Sequence, residues 1–307
     1  MENRDLFAVP IWDAHVHAWP AEVIRDPAGW AREHREPHWG RLVSEGPQGW
    51  ADADGLLRAM DRDGIEKVIL QGWYWERPEN ALRQNEWHAA WRTRYPDRFL
   101  AFAAWHPRLP DPLAVLEEAR QWGACGVGEC LPQVQSPAAW EDPAWQVLLE
   151  WTTRQGWPVC LHLTETVGHE YPGRVPTCLQ ETLKAFAAHP GQNWIAAHWG
   201  GGLPFYALNR RVARVLQRVW FDTAASPLLY DARVWSIVCQ LVGPGRILFG
   251  SDFPLLLRPR LQDQPGWGPL LREFRGSVAD SAQQAAILRD NLADLLGQSG
   301  QSGFDPA

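Results

Sequence analysis

Two histidines spaced by one residue, in Asp13-Ala14-His15-Val16-His17, follow an apolar run, Val9-Pro10-Ile11-Trp12, that reads as a first β-strand. Side chains two apart on a strand project to the same face, so His15 and His17 stand side by side. Imidazole is a common transition-metal ligand, and such a pair supplies half of a metal site. An HxH is weak evidence by itself; its value depends on whether the chain offers the remaining ligands. Four further residues close short apolar runs: Glu129 ends Cys125-Gly-Val-Gly-Glu129, His162 ends Pro158-Val-Cys-Leu-His162, His198 ends Trp194-Ile-Ala-Ala-His198, and Asp252 ends Ile247-Leu-Phe-Gly-Ser-Asp252. Singly, each reads as a loop charge, a turn residue or a satisfied core histidine. Together they are four imidazoles and two carboxylates, whose burial costs several kcal/mol each unless they are paired or bind a cation. A divalent metal is the economical solution.

The elements that must position them alternate regularly. Eight apolar runs (9–14, 66–72, 98–105, 124–129, 158–163, 194–199, 218–224 and 245–251) interleave with segments of helical period (53–63, 79–95, 111–122, 142–155, 176–189, 205–217, 229–242 and 267–275). Leu179, Leu183, Phe186 and Ala187 give the helical spacing in 176–189. Buried-looking strands alternating with helices predict an α/β fold, a (β/α)8 TIM barrel, over a doubly wound open sheet. In such a barrel the C-terminal strand ends converge on one face, which is where the metal site is expected. Two segments break the rhythm. Residues 18–55 form a long Pro/Gly/Trp-rich connection after strand one, expected to be a functional loop or lid. Residues 277–296 predict an extra C-terminal helix packed outside the barrel, and 297–307 a frayed, flexible tail. No linker divides the chain, so residues 1–307 read as one domain.

Composition narrows the function. With 46% hydrophobic residues among 307, there is ample material for a core. A net charge of −7 argues against a nucleic-acid partner, which needs a basic surface. No stretch of apolar residues is long enough for a membrane span, and no signal-peptide pattern opens the chain. The five cysteines form no CxxC, which together with the missing signal pattern leads us to expect a reducing, cytoplasmic setting. Assembly into homo-oligomers is left open. Tryptophan, at 20, outnumbers phenylalanine and tyrosine combined, and Trp19, Trp73, Trp75 and Trp199 follow strands where they could line a cleft.

The order HxH, strand-four acid, strand-five His, strand-six His, strand-eight Asp resembles the amidohydrolase superfamily. The text around Asp13-Ala-His-Val-His17, Ala197-His-Trp-Gly-Gly201 and Phe249-Gly-Ser-Asp-Phe-Pro254 looks closest to its amidohydrolase-related branch, over residues 9–256. Gly126-Val-Gly-Glu129 is also similar to the TatD-like members, in which a strand-four glutamate bridges two metals. Many members carry a carboxylated lysine there; this chain has none at that strand. The resemblance implies His15, His17 and Asp252 on one metal, and His162 and His198 on a second, with Glu129 bridging. In a one-metal arrangement His162 joins the first group and His198 polarises substrate or water. Such ligands suit Zn²⁺, with Mn²⁺ the alternative, as one or two ions. A divalent cation lowers the pKa of its bound water from about 15.7 toward roughly 7. Asp252 would then serve as general acid and base, with His198 the second catalytic residue.

The loop after strand five, Thr164 to Arg174, is rich in hydrogen-bonding groups. Glu165, His169 and Tyr171 within it, with Trp75, His106, Trp199 and Tyr230, are the expected substrate-binding residues. The mouth is aromatic and weakly charged, favouring a small substrate such as a cyclic amide, lactone or ester. The expected activity is therefore metal-dependent hydrolysis of a C–N or C–O bond. The alternatives are a non-hydrolytic decarboxylase of an aromatic or unsaturated acid, a TatD-like nuclease disfavoured by the charge, and a catalytically idle metal-binding protein.

Overall fold

The computed structural model describes residues 9–175 and 179–300. Eight strands follow one another: β1 (Ile11–Val16), β2 (Ile65–Leu70), β3 (Phe99–Ala101), β4 (Val127–Cys130), β5 (Val159–Leu161), β6 (Trp194–Ala196), β7 (Val219–Asp222) and β8 (Ile247–Leu248). Every pairing is parallel, in two arcs, β1-β2-β3 and β4-β5-β6-β7-β8. Single bridges close the two seams, Ala103 to Val127 and Val16 to Phe253. At the first seam the Ala103 N–H donates to Gly126 O (2.9 Å) and the Gly128 N–H to Ala103 O (3.1 Å). At the second, the His17 N–H donates to Phe253 O (2.7 Å) and the Ala14 N–H to Phe249 O (2.8 Å). The result is the expected (β/α)8 barrel. Several ladders are shorter than the apolar runs, because residues such as 102–105 and 249–252 leave the regular pairing, still buried, to shape the mouth.

The helices between strands lie where the periodicity places them, including Ala53–Asp63, Pro78–Arg94, Pro112–Trp122 and Ala144–Gln155. Their apolar faces pack on outward strand residues such as Val68, Phe99, Val159 and Val219. The C-terminal helical segment differs from expectation. Helices Ser281–Ala285 and Asn291–Gly300 are joined by one wide turn, Ala286–Asp290. Leu292 and Leu295 join the cluster inside the barrel, with Ala14, Ile69, Phe102, Cys160, Ile195 and Leu248. Its Leu292 and Leu295 therefore close off the barrel interior, since inward apolar side chains need cover from water, while Ile287 and Leu288 pack in the outer cluster with Ile247 and Phe249. Helix reaches Gly300, so the frayed tail expected over 297–307 falls outside the described residues from 301 onward. The first residues of the helix expected over 176–189 also lie outside them; the described helix is Leu179–Ala188.

Residues 18–55 hold three short helices, Ala21–Arg25, Pro27–Glu33 and Pro37–Glu45, where an irregular connection was expected. Pro27 and Pro37 open helices, the position where a missing N–H costs nothing. Trp30 and Trp39 bury against Trp19, Trp73 and Trp75. Buried Glu36 then fastens the segment to the loop after β2, accepting from Glu76 N (2.8 Å), Arg77 N (3.0 Å) and Asn80 Nδ2 (2.7 Å). Burial pushes the Glu36 carboxyl up to about 7.

Candidate metal centre and substrate cavity

All six chemistry-bearing residues converge at the C-terminal mouth of the barrel. Ala14 belongs to the inner cluster, yet His15 also points inward. Two consecutive inward side chains require a break in the pleat, and the β1–β2 register shifts between Asp13 and Val16. His15 Nε2 and His17 Nε2 come within 3.2 Å. Glu129 Oε2 lies 3.6 and 3.8 Å from these two nitrogens, and Asp252 Oδ1 lies 3.8 and 3.6 Å from them. Ligands held at about 2.0–2.2 Å in a tetrahedron stand roughly 3.3–3.6 Å apart, and the donors of His15, His17 and Asp252, all within 4.8 Å of one another, could hold one divalent cation. Two imidazole nitrogens facing each other at 3.2 Å otherwise need a proton between them.

The other oxygen of Glu129 faces a second group. Oε1 is 2.8 Å from His162 Nδ1 and 3.3 Å from His198 Nε2, and those nitrogens are 3.2 Å apart. One carboxylate thus divides its two oxygens between two histidine pairs. Glu129 and His198 also group with His15, their donor atoms lying within 4.8 Å of one another.

Surrounding groups set the ring orientations. Asp222 Oδ2 accepts from His15 Nδ1 at 2.9 Å, which turns the Nε2 lone pair toward the centre. Its Oδ1 accepts the backbone N–H of His198 (2.9 Å) and of Ala224 (3.0 Å), so one buried carboxylate registers both histidine-bearing strands. His198 Nδ1 bonds Ala224 O at 3.1 Å, leaving Nε2 for the centre. After β6 the chain runs left-handed from His198 through Gly202. At Gly201 a Cβ would lie 2.5 Å from Thr164 O, so only glycine fits the turn that carries His198 inward. Asp13, on the outer side of β1, accepts from His15 N, Ser251 N and Trp267 Nε1, tying the HxH to the turn bearing Asp252.

Electrostatics reflect the crowding of acids. Burial opposes charge on His15, but Asp222 and Glu129 outweigh it and hold its proton well above the ordinary imidazole range. Burial, then repulsion from His15, drives His17 down to about 3. His198 rises to about 9 against burial, because Glu129 and Asp252 attract its proton. Burial alone would raise Glu129; His162 and His15 instead hold it well below the usual carboxylate range. Burial raises Asp252. Positive charge thus collects on His15 and His198, the demand that a cation satisfies while leaving imidazoles neutral.

Above it lies a cavity of about 250 Å³. Its walls are Trp19, Trp39, Trp73, Tyr74, Leu228 and Leu255, with His17, Glu129, His162, His198 and Asp252 as the floor. Of the expected substrate-binding residues, His169 and Tyr171 line it. Trp75 is buried beside it and bonded to Gln84 (2.8 Å). Trp199 is in the core against Trp235, its Nε1 on Ser226 Oγ (2.9 Å). His106 is buried, its Nδ1 accepting from Arg108 N. Glu165 accepts the Tyr171 hydroxyl (2.7 Å), and Tyr230 packs on Phe205; neither is among the described lining residues. Trp19 and Trp73, noted for following strands, are in the wall, whereas Trp39 and Leu42 come from the helices of 18–55. From sequence Asp222, at strand seven, could face the barrel interior or cap the next turn; it faces the interior, on His15 and His198.

A family model described as Amidohydrolase matches residues 12–298. The chain belongs to the amidohydrolase family. No curated protein matches it. Among solved structures, the amidohydrolase fold is shared with a 2,6-dihydroxybenzoate decarboxylase from Rhizobium, at 23% identity, TM-score 0.66, covering 95% of this chain and 99% of that one. A 5-carboxyvanillate decarboxylase from Novosphingobium aromaticivorans, complexed with manganese and a nitrobenzoic acid, is 16% identical, with TM-score 0.71 and coverage of 97% and 100%. A probable 2-pyrone-4,6-dicarboxylic acid hydrolase from Acinetobacter baumannii is 17% identical, with TM-score 0.65 and coverage of 94% and 100%. These likenesses show the fold. No helix among the described residues is long and apolar enough to cross a membrane.

Proposed function

We propose that the protein is a metal-dependent hydrolase that opens a C–N or C–O bond in a small substrate such as a cyclic amide, lactone or ester. The observation that carries this is Glu129, whose two oxygens face two separate histidine pairs. His15, His17 and Asp252 would hold one cation, and His162 and His198 another, with Glu129 bridging; Zn²⁺ suits these donors best and Mn²⁺ next. When bound, such cations supply Lewis acidity and acidify water toward neutrality. Asp252, buried at the floor, is placed to take a proton from the nucleophile and pass it to the leaving group. In a one-metal arrangement His198, at the floor of the cavity, would polarise the substrate instead. The apolar walls exclude bulk water, which strengthens every interaction below them. Unpaired cysteines at 125, 130, 160 and 239 support a reducing, cytoplasmic location.

Decarboxylation of an aromatic acid is the second reading, supported by the flat aromatic walls and the two decarboxylases that share the fold. Elemental analysis of purified protein separates the two. The hydrolase reading expects about two metal equivalents per chain, falling to one or fewer in Glu129→Ala. A single equivalent in the native protein, with CO₂ released from a dihydroxybenzoate, would replace it.

A further inference from the structure

We propose that the Gly173 carbonyl positions His162, and that through this one ring the loop after β5 closes over the cavity when the metal centre is loaded. His162 faces oxygen on both sides: Nδ1 lies 2.8 Å from Glu129 Oε1, and Nε2 lies 3.2 Å from Gly173 O. A carbonyl oxygen only accepts, so Nε2 carries the proton in this arrangement. A neutral ring then turns the Nδ1 lone pair onto a carboxylate oxygen, with His198 Nε2 3.2 Å away. A cation held among these atoms removes that conflict. Without one, the favourable neutral form is the other tautomer, with Nδ1 donating to Glu129 and a bare Nε2 that repels Gly173 O. The two tautomers therefore belong to two positions of the loop.

The loop is braced from within. Thr164 Oγ1 donates to Val175 O (2.5 Å), Arg174 Nε to Glu165 O (3.0 Å) and the Tyr171 hydroxyl to Glu165 Oε2 (2.7 Å). His169, Tyr171, Pro172 and Gly173 line the cavity, so the stretch that meets His162 is also part of its enclosure. At Gly173 a Cβ would lie 3.3 Å from Leu42 Cδ1, which brings the loop against the helix Pro37–Glu45 at the same residue. His15 and His198 rest their outer nitrogens on Asp222 and Ala224 O, at and just after the end of β7. Of these three rings, His162 is the one that leans on the loop. Loss of such an outer partner lowers metal affinity about 10–100-fold, and linkage makes the effect reciprocal, so loading favours closure by the same factor.

The inference rests on the metal reading, in that His162 is a ligand, whether of one cation or of a second. The test is limited trypsin digestion of the full chain, zinc-loaded and chelator-stripped, with the cleavage sites mapped by mass spectrometry. Arg174 is the one basic residue between Thr164 and Val175, and its side chain is only 7% exposed, so cleavage there follows the open population. Cleavage after Arg98, ahead of β3, reports opening of the whole barrel. Zinc is expected to slow cleavage after Arg174 about 10–100-fold beyond any effect at Arg98. His162→Gln, which keeps a donor for Gly173 O but has no second tautomer, and His162→Ala, which has neither, are expected to lose that zinc dependence, with folding checked by circular dichroism. Equal slowing at Arg174 and Arg98, no slowing in native protein that binds zinc, or full zinc dependence in His162→Gln would each overturn the coupling and leave the metal reading standing. Native protein that binds no zinc in competition with a chelator removes both.

Discussion

Asp222→Asn tests the geometry of the centre most directly. In the native arrangement a buried carboxylate 2.9 Å from His15 Nδ1 forces that nitrogen to carry the proton, so Nε2 presents a lone pair toward Glu129 and Asp252. Asparagine retains an oxygen for the His198 and Ala224 N–H groups, which bond to Oδ1. Its amide nitrogen then faces His15 Nδ1 and donates to it, moving the ring proton to Nε2, where it blocks the metal. A charge-assisted bond between two fully buried groups is worth about 1.5–3 kcal/mol. Loss of an outer-shell partner of this kind lowers metal affinity about 10–100-fold, or about 1.4–2.7 kcal/mol, the same range. Competition with a chelator of known affinity, using Zn²⁺ or Mn²⁺, measures the loss, and circular dichroism checks the fold. Native affinity in a folded Asp222→Asn protein would refute the claim that this carboxylate sets the His15 tautomer.

Two further outcomes are expected. Asp252→Asn lowers kcat about 10²–10⁴-fold, the contribution of a positioned acid–base group, while the barrel stays folded by circular dichroism; a smaller loss removes Asp252 from proton transfer. Glu36 titrates near 7 in the fold against an ordinary 4.5, raised by burial. Its contribution is therefore greatest below 4.5 and is lost as pH rises through 7, worth up to about 3 kcal/mol across that window. Denaturation of Glu36→Gln between pH 4.5 and 8 should show a flatter decline than the native protein, and parallel curves would contradict the assignment.

The six converging residues were legible because each ends an apolar run, and a barrel gathers strand ends onto one face whatever the details of its helices. Helix bounds such as 53–63 were legible from period and caps: Asp52 accepts from Gly55 N and Gly64 closes the helix left-handed. The substrate wall was less so. Trp75 and Trp199 also follow strands, but Trp75 turns to Gln84 and Trp199 to Ser226. Position after a strand cannot say which way an indole faces; that is decided by which buried acceptor its N–H finds. Trp39 and Leu42 reach the cavity because residues 18–55 fold into helices pinned by Glu36, a contact 40 residues from its Glu76 partner. Asp222 stayed undecided because a strand-end carboxylate that faces the interior and one that caps the next turn look alike in sequence.

The two seams of the barrel give the centre a mechanical meaning. His15 and His17 belong to the β1–β3 arc, and Glu129, His162, His198 and Asp252 follow strands of the β4–β8 arc. Each arc is a ladder, and the seams, bridged at Val16 to Phe253 and Ala103 to Val127, carry backbone hydrogen bonds of Ala14, His17, Ala103 and Gly128. Val16 lies between the two histidines, Phe253 follows Asp252, and Val127 is two residues before Glu129. A cation shared by these residues would therefore join the two arcs at their seams, so that side chains from both are needed to complete one site.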